Sequence, residues 1–508
     1  MNPESEPNFA PQPPPEAQPL SLRVRDNYAV ALDEVASLRS LAQVVQAQGF
    51  EAYVIGGFVR DWLMDRHGNR HDIDVVTVGS GIALAQAFAD AIGADEVVTY
   101  PNFGTAMVRA GQLHIEFVGA RRESYRADSR KPIVEDGTLH DDQLRRDFTI
   151  NALSFSLNAA DYGQLHDPFG GLGDLAQRRI VTPTDPVVTF GDDPLRMLRA
   201  IRFAAVLGFQ IDPQTLAAIH SQADRIQIIS PERIADELNK IILAPKPSVG
   251  FRLLFQTGLL AHIFPELQAM QGVDRRDAHS HKDNFYHTIQ VLDNICPSTD
   301  DLWLRWAAIL HDIGKPRTKR YHPQHGWTFH GHEDVGARMV PKIFRRMRLP
   351  LNHKMDYVQK LVRLHQRPIA LVDDGVSDSA IRRLVFEAGD DLDDLFRLCR
   401  ADVTTRDKRR AARYIENFDQ VQARIAEVEE LDRLRSWQPP LSGEDIMAIY
   451  GLRPGPQVGV LKNAIRDAIL DGEIPNSREA AEAFLHQHAD RLLIQTAPPH
   501  RKPNPPAP

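Results

Sequence analysis

His71-Asp72-Ile73-Asp74-Val75-Val76 is the stretch on which the fold turns. Successive side chains of a β-strand point to opposite faces. The pattern therefore predicts a strand over His71–Val78, with Ile73 and Val75 toward a core and Asp72 and Asp74 together on the other face. Convergent carboxylates repel one another unless a cation neutralises them. A small set of hard oxygen ligands that leaves room for water and phosphate suits Mg2+. Glu116 lies in a second alternating run, His114-Ile115-Glu116-Phe117-Val118. Three acids on neighbouring strands meet the needs of a two-metal, in-line phosphoryl displacement. Taken alone, Asp-x-Asp is more often an exposed strand pair, so the surrounding sequence has to decide.

Upstream stands Tyr53-Val54-Ile55-Gly56-Gly57-Phe58-Val59-Arg60-Asp61. An apolar strand over Glu51–Gly57 ends in paired glycines, which let backbone approach a ligand closely. The helix expected over Phe58–Met64 offers free N–H groups to phosphates, and Arg60 is one turn into it. A tight turn followed by a surface arginine is the plainer meaning. Helical spacing over Tyr28–Gln48 and Ala83–Ile92 alternates with strand patterns at Val97–Val98, Ala106–Val108 and Leu113–Val118, the mark of an α/β unit. The polar segment Ala120–Gln143 is expected to be a long loop. Beyond about Asp192 strand patterns nearly vanish, and helical periodicity dominates, as at Leu195–Leu207, Pro231–Leu243, Trp303–His311, Gly331–Arg346 and Asp356–Leu364.

At 508 residues the chain is long enough for three or four domains. Its 43% hydrophobic and 25% charged content is that of an ordinary globular protein. A net charge of −8 excludes a generic basic coat for nucleic acid, so any RNA must be met by local patches and a shaped site. Two cysteines, Cys296 and Cys399, exclude a disulfide framework and a Cys-rich zinc site, and fit a cytoplasmic setting. No apolar run approaches the length of a membrane span. The Pro-rich ends, 1–22 and 496–508, are expected to be disordered.

Two further motifs complete an ordered series: Arg145-Arg146-Asp147-Phe148-Thr149-Ile150-Asn151-Ala152, and Asp192-Asp193-Pro194-Leu195-Arg196 followed by Arg199. Together with Gly-Gly-x-Val-Arg-Asp and Asp-x-Asp they resemble the class II tRNA nucleotidyltransferase and bacterial poly(A) polymerase family, over roughly residues 40–245. The resemblance implies an α/β head of the polymerase-beta-like nucleotidyltransferase type at 23–180, then an all-helical neck at 181–250. It makes Asp72 and Asp74 ligands of the catalytic magnesium. Gly57, Arg60, Arg145 and Arg146 become contacts to the nucleotide. Ala120–Gln143 falls where the family carries a flexible loop linked to the switch from CMP to AMP addition. The implied reaction is addition of CMP and AMP, from CTP and ATP, to the 3′ end of tRNA. Poly(A) synthesis, and addition of CC or A alone, share the same head.

Base choice has a physical rationale of its own. Asp193 and Arg196 are three apart and so share a helix face. Cytosine and adenine each place an amino donor beside a ring-nitrogen acceptor, whereas uracil and guanine present the reverse. An Asp acceptor beside an Arg donor fits the first pair and leaves buried groups unsatisfied with the second. Arg199, one turn on, is placed to stack on a base or steer phosphate. Asp before Pro is also a good helix cap, and both roles put the side chain at the helix start. Ser230-Pro231-Glu232-Arg233 opens another helix, expected to brace the first.

Histidines then become dense. His287, His311-Asp312, His332, His365 and Asp402 resemble the His-Asp (HD) metal-dependent phosphohydrolase superfamily, within a helical domain expected at 251–405. The resemblance makes His287, His311, Asp312 and Asp402 ligands of a divalent transition metal, with His332 and His365 candidates for a second; the donor types leave its identity open. In related nucleotidyltransferases this domain can act as a phosphatase and 2′,3′-cyclic phosphodiesterase. An HD hydrolase whose head only binds RNA, and a non-catalytic RNA-binding regulator, are the readings of other classes. A helical tail is expected at 406–495. Its basic run Lys408-Arg409-Arg410 with Arg413, and Arg345-Arg346-Met347-Arg348 before it, fit either a solvated helix face or contact with tRNA phosphates. No membrane and no protein partner is expected.

Overall fold

Strand β2 (Asp72–Val78) forms where the alternation places it, with Ile73, Val75 and Val76 buried, Asp72 exposed and Asp74 half-buried. A computed structural model describes residues 19–66, 72–94, 96–101, 104–126, 129–273, 275–276, 279–280, 283–371, 378–405, 407–432 and 439–494. His71 and most of both expected tails lie outside the described residues. Leu20, within the expected 1–22 tail, donates its N–H to the carbonyl of Ala176 at 2.7 Å.

β2 pairs antiparallel with β1 (Glu51–Ile55) and parallel with β5 (Leu113–Gly119). The other strands are β3 (Val97–Tyr100), β4 (Thr105–Ala110), β8 (Ser154–Ser156) and β9 (Leu165–His166), giving a mixed seven-stranded sheet in the order β3-β4-β5-β2-β1-β8-β9. In register, Asp72 faces His114 and Asp74 faces Glu116 across the parallel pair. Helix Gly81–Ile92, capped by the Ser80 side chain, packs over β4 and β5 with Phe88 against Phe117. A Cβ at Gly81 would lie 2.8 Å from the Gly119 nitrogen, so the helix start touches strand backbone as only glycine permits.

The polar segment expected as a loop is instead a hairpin, β6 (Arg121–Arg126) with β7 (Ser129–Asp136), followed by helix Leu139–Leu144. Backbone pairing satisfies the segment's polar main-chain groups, and its mostly charged and polar sequence shows no hydrophobic period to announce a strand. Thr138 and Asp141 close a capping box on the short helix. The helical spacing of 28–48 resolves into Ala29–Asp33 and Ala36–Gln48.

After the sheet the chain is almost entirely helical. Helix Leu195–Leu207 packs on Pro231–Ile242 and on Pro247–Gln256. These belong to the first of two compact units, Met1–Ala269; the second is Met270–Pro508. In the second, helices Asn284–Ile295, Leu302–Leu310, His332–Arg346, His353–Leu364 and Leu392–Asp402 surround the expected metal residues. Helices Gly443–Tyr450, Pro456–Leu470 and Arg478–Ile494 share a core of their own built on Leu441, Ile446, Leu461, Ile465 and Leu485. The α/β head and the helical body are those the sequence predicts. Among the described residues no helix is long and apolar enough to cross a membrane.

Candidate active site

A cavity of about 930 Å³ opens between the sheet and the helix Leu195–Leu207. Nine of the ten residues expected to serve nucleotide transfer line it: Gly57, Arg60, Asp72, Asp74, Arg145, Arg146, Asp193, Arg196 and Arg199. Glu116 does not. Its tie to the site is the register with Asp74, whose charge adds to burial in raising the Glu116 carboxyl.

Burial likewise raises the Asp74 carboxyl, with Arg146 opposing and Asp72 adding to the effect. A cation between the two aspartates relieves both burial and repulsion, so the pair fits a divalent metal. The approach is tight. Gly56 has φ +84°, and a Cβ there would meet Arg146 Nη1 at 3.1 Å and Asp74 Oδ2 at 3.3 Å. The equivalent atom at Gly57 meets nothing closer than Arg60 Nη2 at 3.8 Å, so Gly56 is the constrained member of the pair.

Each arginine is held by a partner. Asp142 is fully buried and takes Arg145 on Oδ1 and Arg146 on Oδ2, the latter at 3.3 Å. Arg60 is only 8% exposed; it pairs with Asp61 at 2.9 Å and donates to Asn151 Oδ1 at 2.7 Å. Arg196 donates to the carbonyl of Arg145 at 2.6 Å, and Arg199 to Asp147 Oδ2 at 2.6 Å. Asp193 caps the helix start, accepting from Leu195 N–H at 3.1 Å, while its other oxygen lies 3.7 Å from Arg233 Nη2. The cap is thus real and the carboxylate still lines the cavity. Arg233 braces Asp193; Glu232 is exposed.

Sequence reasoning passed over Asp142, Asn151, Arg202 and Phe203. The Arg60, Arg199 and Arg202 guanidinium carbons lie 5.1, 5.7 and 4.4 Å from the Phe203 ring centre. Asp142 was open to discovery, since it precedes Arg145 and Arg146 by the three and four residues that join side chains on a helix.

In the second unit the expected metal residues converge on one carboxylate. Asp312 Oδ2 is 3.2 Å from His311 Nε2 and 3.4 Å from His287 Nε2; Oδ1 is 3.2 Å from His332 Nε2 and 3.8 Å from His365 Nε2. Asp402 Oδ1 adds contacts to His287 at 2.9 Å and to His311 at 3.6 Å. Two ligand triads result, His287-His311-Asp312 and Asp312-His332-His365.

The orientation of the rings fits metals. Nδ1 of His311, His332 and His365 lies 2.7–2.8 Å from the carbonyls of Ala308, Phe329 and Val362. A carbonyl only accepts, so Nδ1 carries a proton and Nε2 is the ring atom turned toward Asp312. Nε2 of His311 is buried without a hydrogen bond. Burial opposes charging His311, yet Asp312 and Asp402 hold its pKa up at about 10, so the cluster draws positive charge. Burial, with His311 beside it, brings His365 down to about 4.

Residues 52–181 match the poly A polymerase head domain, 208–271 the probable RNA and SrmB-binding site of polymerase A, and 284–407 the HD domain. An A-adding tRNA nucleotidyltransferase of Deinococcus radiodurans is 33% identical over 455 residues, spanning 86% of this chain and 96% of the relative. The chain belongs to the tRNA nucleotidyltransferase family. Another member, a CC-adding tRNA nucleotidyltransferase of Thermus thermophilus, is 31% identical over 86% of this chain and 93% of its own. The crystal structure of the Bacillus stearothermophilus CCA-adding enzyme in complex with CTP has the same fold, with a TM-score of 0.63 at 21% identity over 91% of this chain and 98% of that one. As a tRNA nucleotidyltransferase the protein is a nucleotidyl-transferring enzyme of tRNA processing with a fused HD domain. Both kinds of domain imply divalent metals.

Proposed function

We propose that the head adds CMP and AMP, from CTP and ATP, to the 3′ end of tRNA, with Mg2+ on Asp72 and Asp74. The observation that carries this is the meeting, in one cavity, of the strand aspartates, the arginines and the pair Asp193 and Arg196. The RNA 3′-oxygen bonds to the α-phosphorus, the bond to the bridging oxygen breaks, and pyrophosphate leaves with its electron pair. Magnesium, when bound, lowers the pKa of the attacking hydroxyl and neutralises the developing charge. Arg145 and Arg146, fixed by Asp142, face the triphosphate. Arg196, held by the Arg145 carbonyl, and Asp193, held by its cap, present a fixed donor and acceptor to the base edge. Glu116 stands behind Asp74 as the third acid.

The test is incorporation of labelled CTP, ATP or UTP into tRNAs that lack the last one, two or three nucleotides, with magnesium. Two C residues and one A, then arrest, is the expected product. A lone A or CC alone narrows the activity, an unlimited A tract makes it a poly(A) polymerase, and no incorporation removes the reading.

A second activity is favoured by the four Nε2 atoms gathered around Asp312. We infer that the HD centre holds divalent transition metals on His287, His311, Asp312 and Asp402, with His332 and His365 at the second position, and hydrolyses phosphate esters. Release of inorganic phosphate from nucleotides across a panel of Mn, Ni, Co and Zn tests it.

A further inference from the structure

Helix Lys408–Asp432 begins where the HD-domain match ends, at residue 407. A solvated helix face is the commoner meaning of its opening basic run. The structure gives one of these residues a definite place. Arg410 and Tyr414, one turn apart, line a cavity of about 460 Å³ whose other walls include His287, Lys315 and Asp402. Arg410 Nη2 donates to the Tyr414 hydroxyl at 3.1 Å, and its guanidinium carbon lies 5.6 Å from the Tyr414 ring centre. The tyrosine thus holds the guanidinium at the cavity. On the metal-ligand side, Lys315 Nζ is 2.6 Å from Asp312 Oδ2.

The cavity therefore has two cations from separate elements, an imidazole and a carboxylate of the metal cluster, and the aromatic rings of Tyr414 and Phe418. Two cations beside such a cluster suit the oxygens of a phosphate. A flat ring next to them suits a sugar or a base. The volume is that of a small-ligand pocket. We propose that Arg410 and Lys315 hold the phosphate of a ribose phosphomonoester at the HD centre, and that Tyr414 lies against its sugar or base. The pocket is then completed by a helix outside the HD-domain match. This rests on the hydrolytic reading for the choice of ligand, while the arginine and tyrosine are assigned by their position alone.

The probe is 8-azidoadenosine 5′-monophosphate, photolysed with the full-length protein, and the labelled tryptic peptides are mapped by mass spectrometry. Label is expected on the peptide 414–424. Arg410→Ala should lower it about tenfold, the effect of losing one charge-assisted hydrogen bond, and Arg410→Lys should restore part of it. Label on peptides of the head is the internal reference. Unlabelled AMP and a short RNA ending in a 3′-phosphate are run as competitors. Protection by the first assigns a free nucleotide and by the second an RNA end, and either supports the pocket. No label on 414–424, label unchanged in Arg410→Ala, or protection by neither competitor overturns it. Phosphate release is measured in parallel. Label without turnover under any metal keeps the pocket and removes hydrolysis; turnover with an unchanged KM in Arg410→Ala keeps hydrolysis and removes the pocket.

Discussion

Asp147 and Arg199 are 52 positions apart in the chain, and their side chains meet at 2.6 Å. Burial would raise the Asp147 carboxyl, but Arg199 and Asn151 bring it down to about 2. A carboxyl lowered on folding contributes stability above its unfolded pKa, near 4, and that contribution is lost as pH falls toward 2. Asp147→Asn should therefore be less stable than the parent by about 2 kcal/mol at neutral pH, with the gap closing between about pH 4 and pH 2. Urea unfolding at a series of pH values checks this; a gap independent of pH would refute the ion pair as its source. Nucleotide transfer should fall as well, since Arg199 loses the group that aims it.

Replacing Asp74 with Ala should abolish nucleotide incorporation while leaving phosphate release by the HD domain intact. Asp74 is the partly buried member of the strand pair, and nothing else in β2 replaces its oxygens. Labelled CMP and AMP incorporation is the measurement, and retained transfer removes the assignment of magnesium to this carboxylate.

The two glycines before the first head helix should differ. Gly56→Ala is strained at φ +84° and drives a methyl toward Arg146 and Asp74, so kcat should drop by about tenfold or more, given the sensitivity of catalysis to small displacements. Gly57→Ala has room for its methyl and keeps its N–H, so transfer within about threefold of the parent is expected, consistent with a helix tolerating alanine. Equal losses in the two variants would argue against the packing account.

Asp312 offers one oxygen to each histidine pair. Asp312→Ala should strip the HD domain of bound transition metal altogether, whereas His365→Ala should spare the site at His287 and His311. Elemental analysis after dialysis distinguishes the two. Nucleotide incorporation should persist in both variants, and its loss would mean that the HD centre also supports transfer.

Asp193 carries two duties, so Asp193→Ala should lose about 1 kcal/mol from the vacated cap and also relax base choice. The ratio of UTP to CTP incorporation should rise by about tenfold or more, because a hydrogen-bonding reader is what rejects such analogues. Arg196→Ala should relax choice without the loss of the cap. Discrimination unchanged in both variants would assign base reading to other groups.

Much of this protein could be read from short stretches of chain. Period-two alternation is a local property, and it placed Asp72 and Asp74 on one face of a strand before any partner strand was known. Helical spacing put Asp193, Arg196 and Arg199 along one helix start, and the order of the motifs pointed to the family. The hairpin Arg121–Asp136 was not legible, because the segment is mostly charged and polar and backbone pairing leaves no hydrophobic period to detect.

The amino-acid sequence by itself determined which residues carry charge, which can ligate a metal, and which face of a strand or helix each occupies, because those properties depend on near neighbours. Only the tertiary structure decided the pairings: Arg199 with Asp147, Arg60 with Asn151 and with the Phe203 ring, and the two oxygens of Asp312 divided between two pairs of histidines. These contacts join elements far apart in the chain. Their partners are chosen by how the sheet and helices pack, and no local pattern encodes that choice.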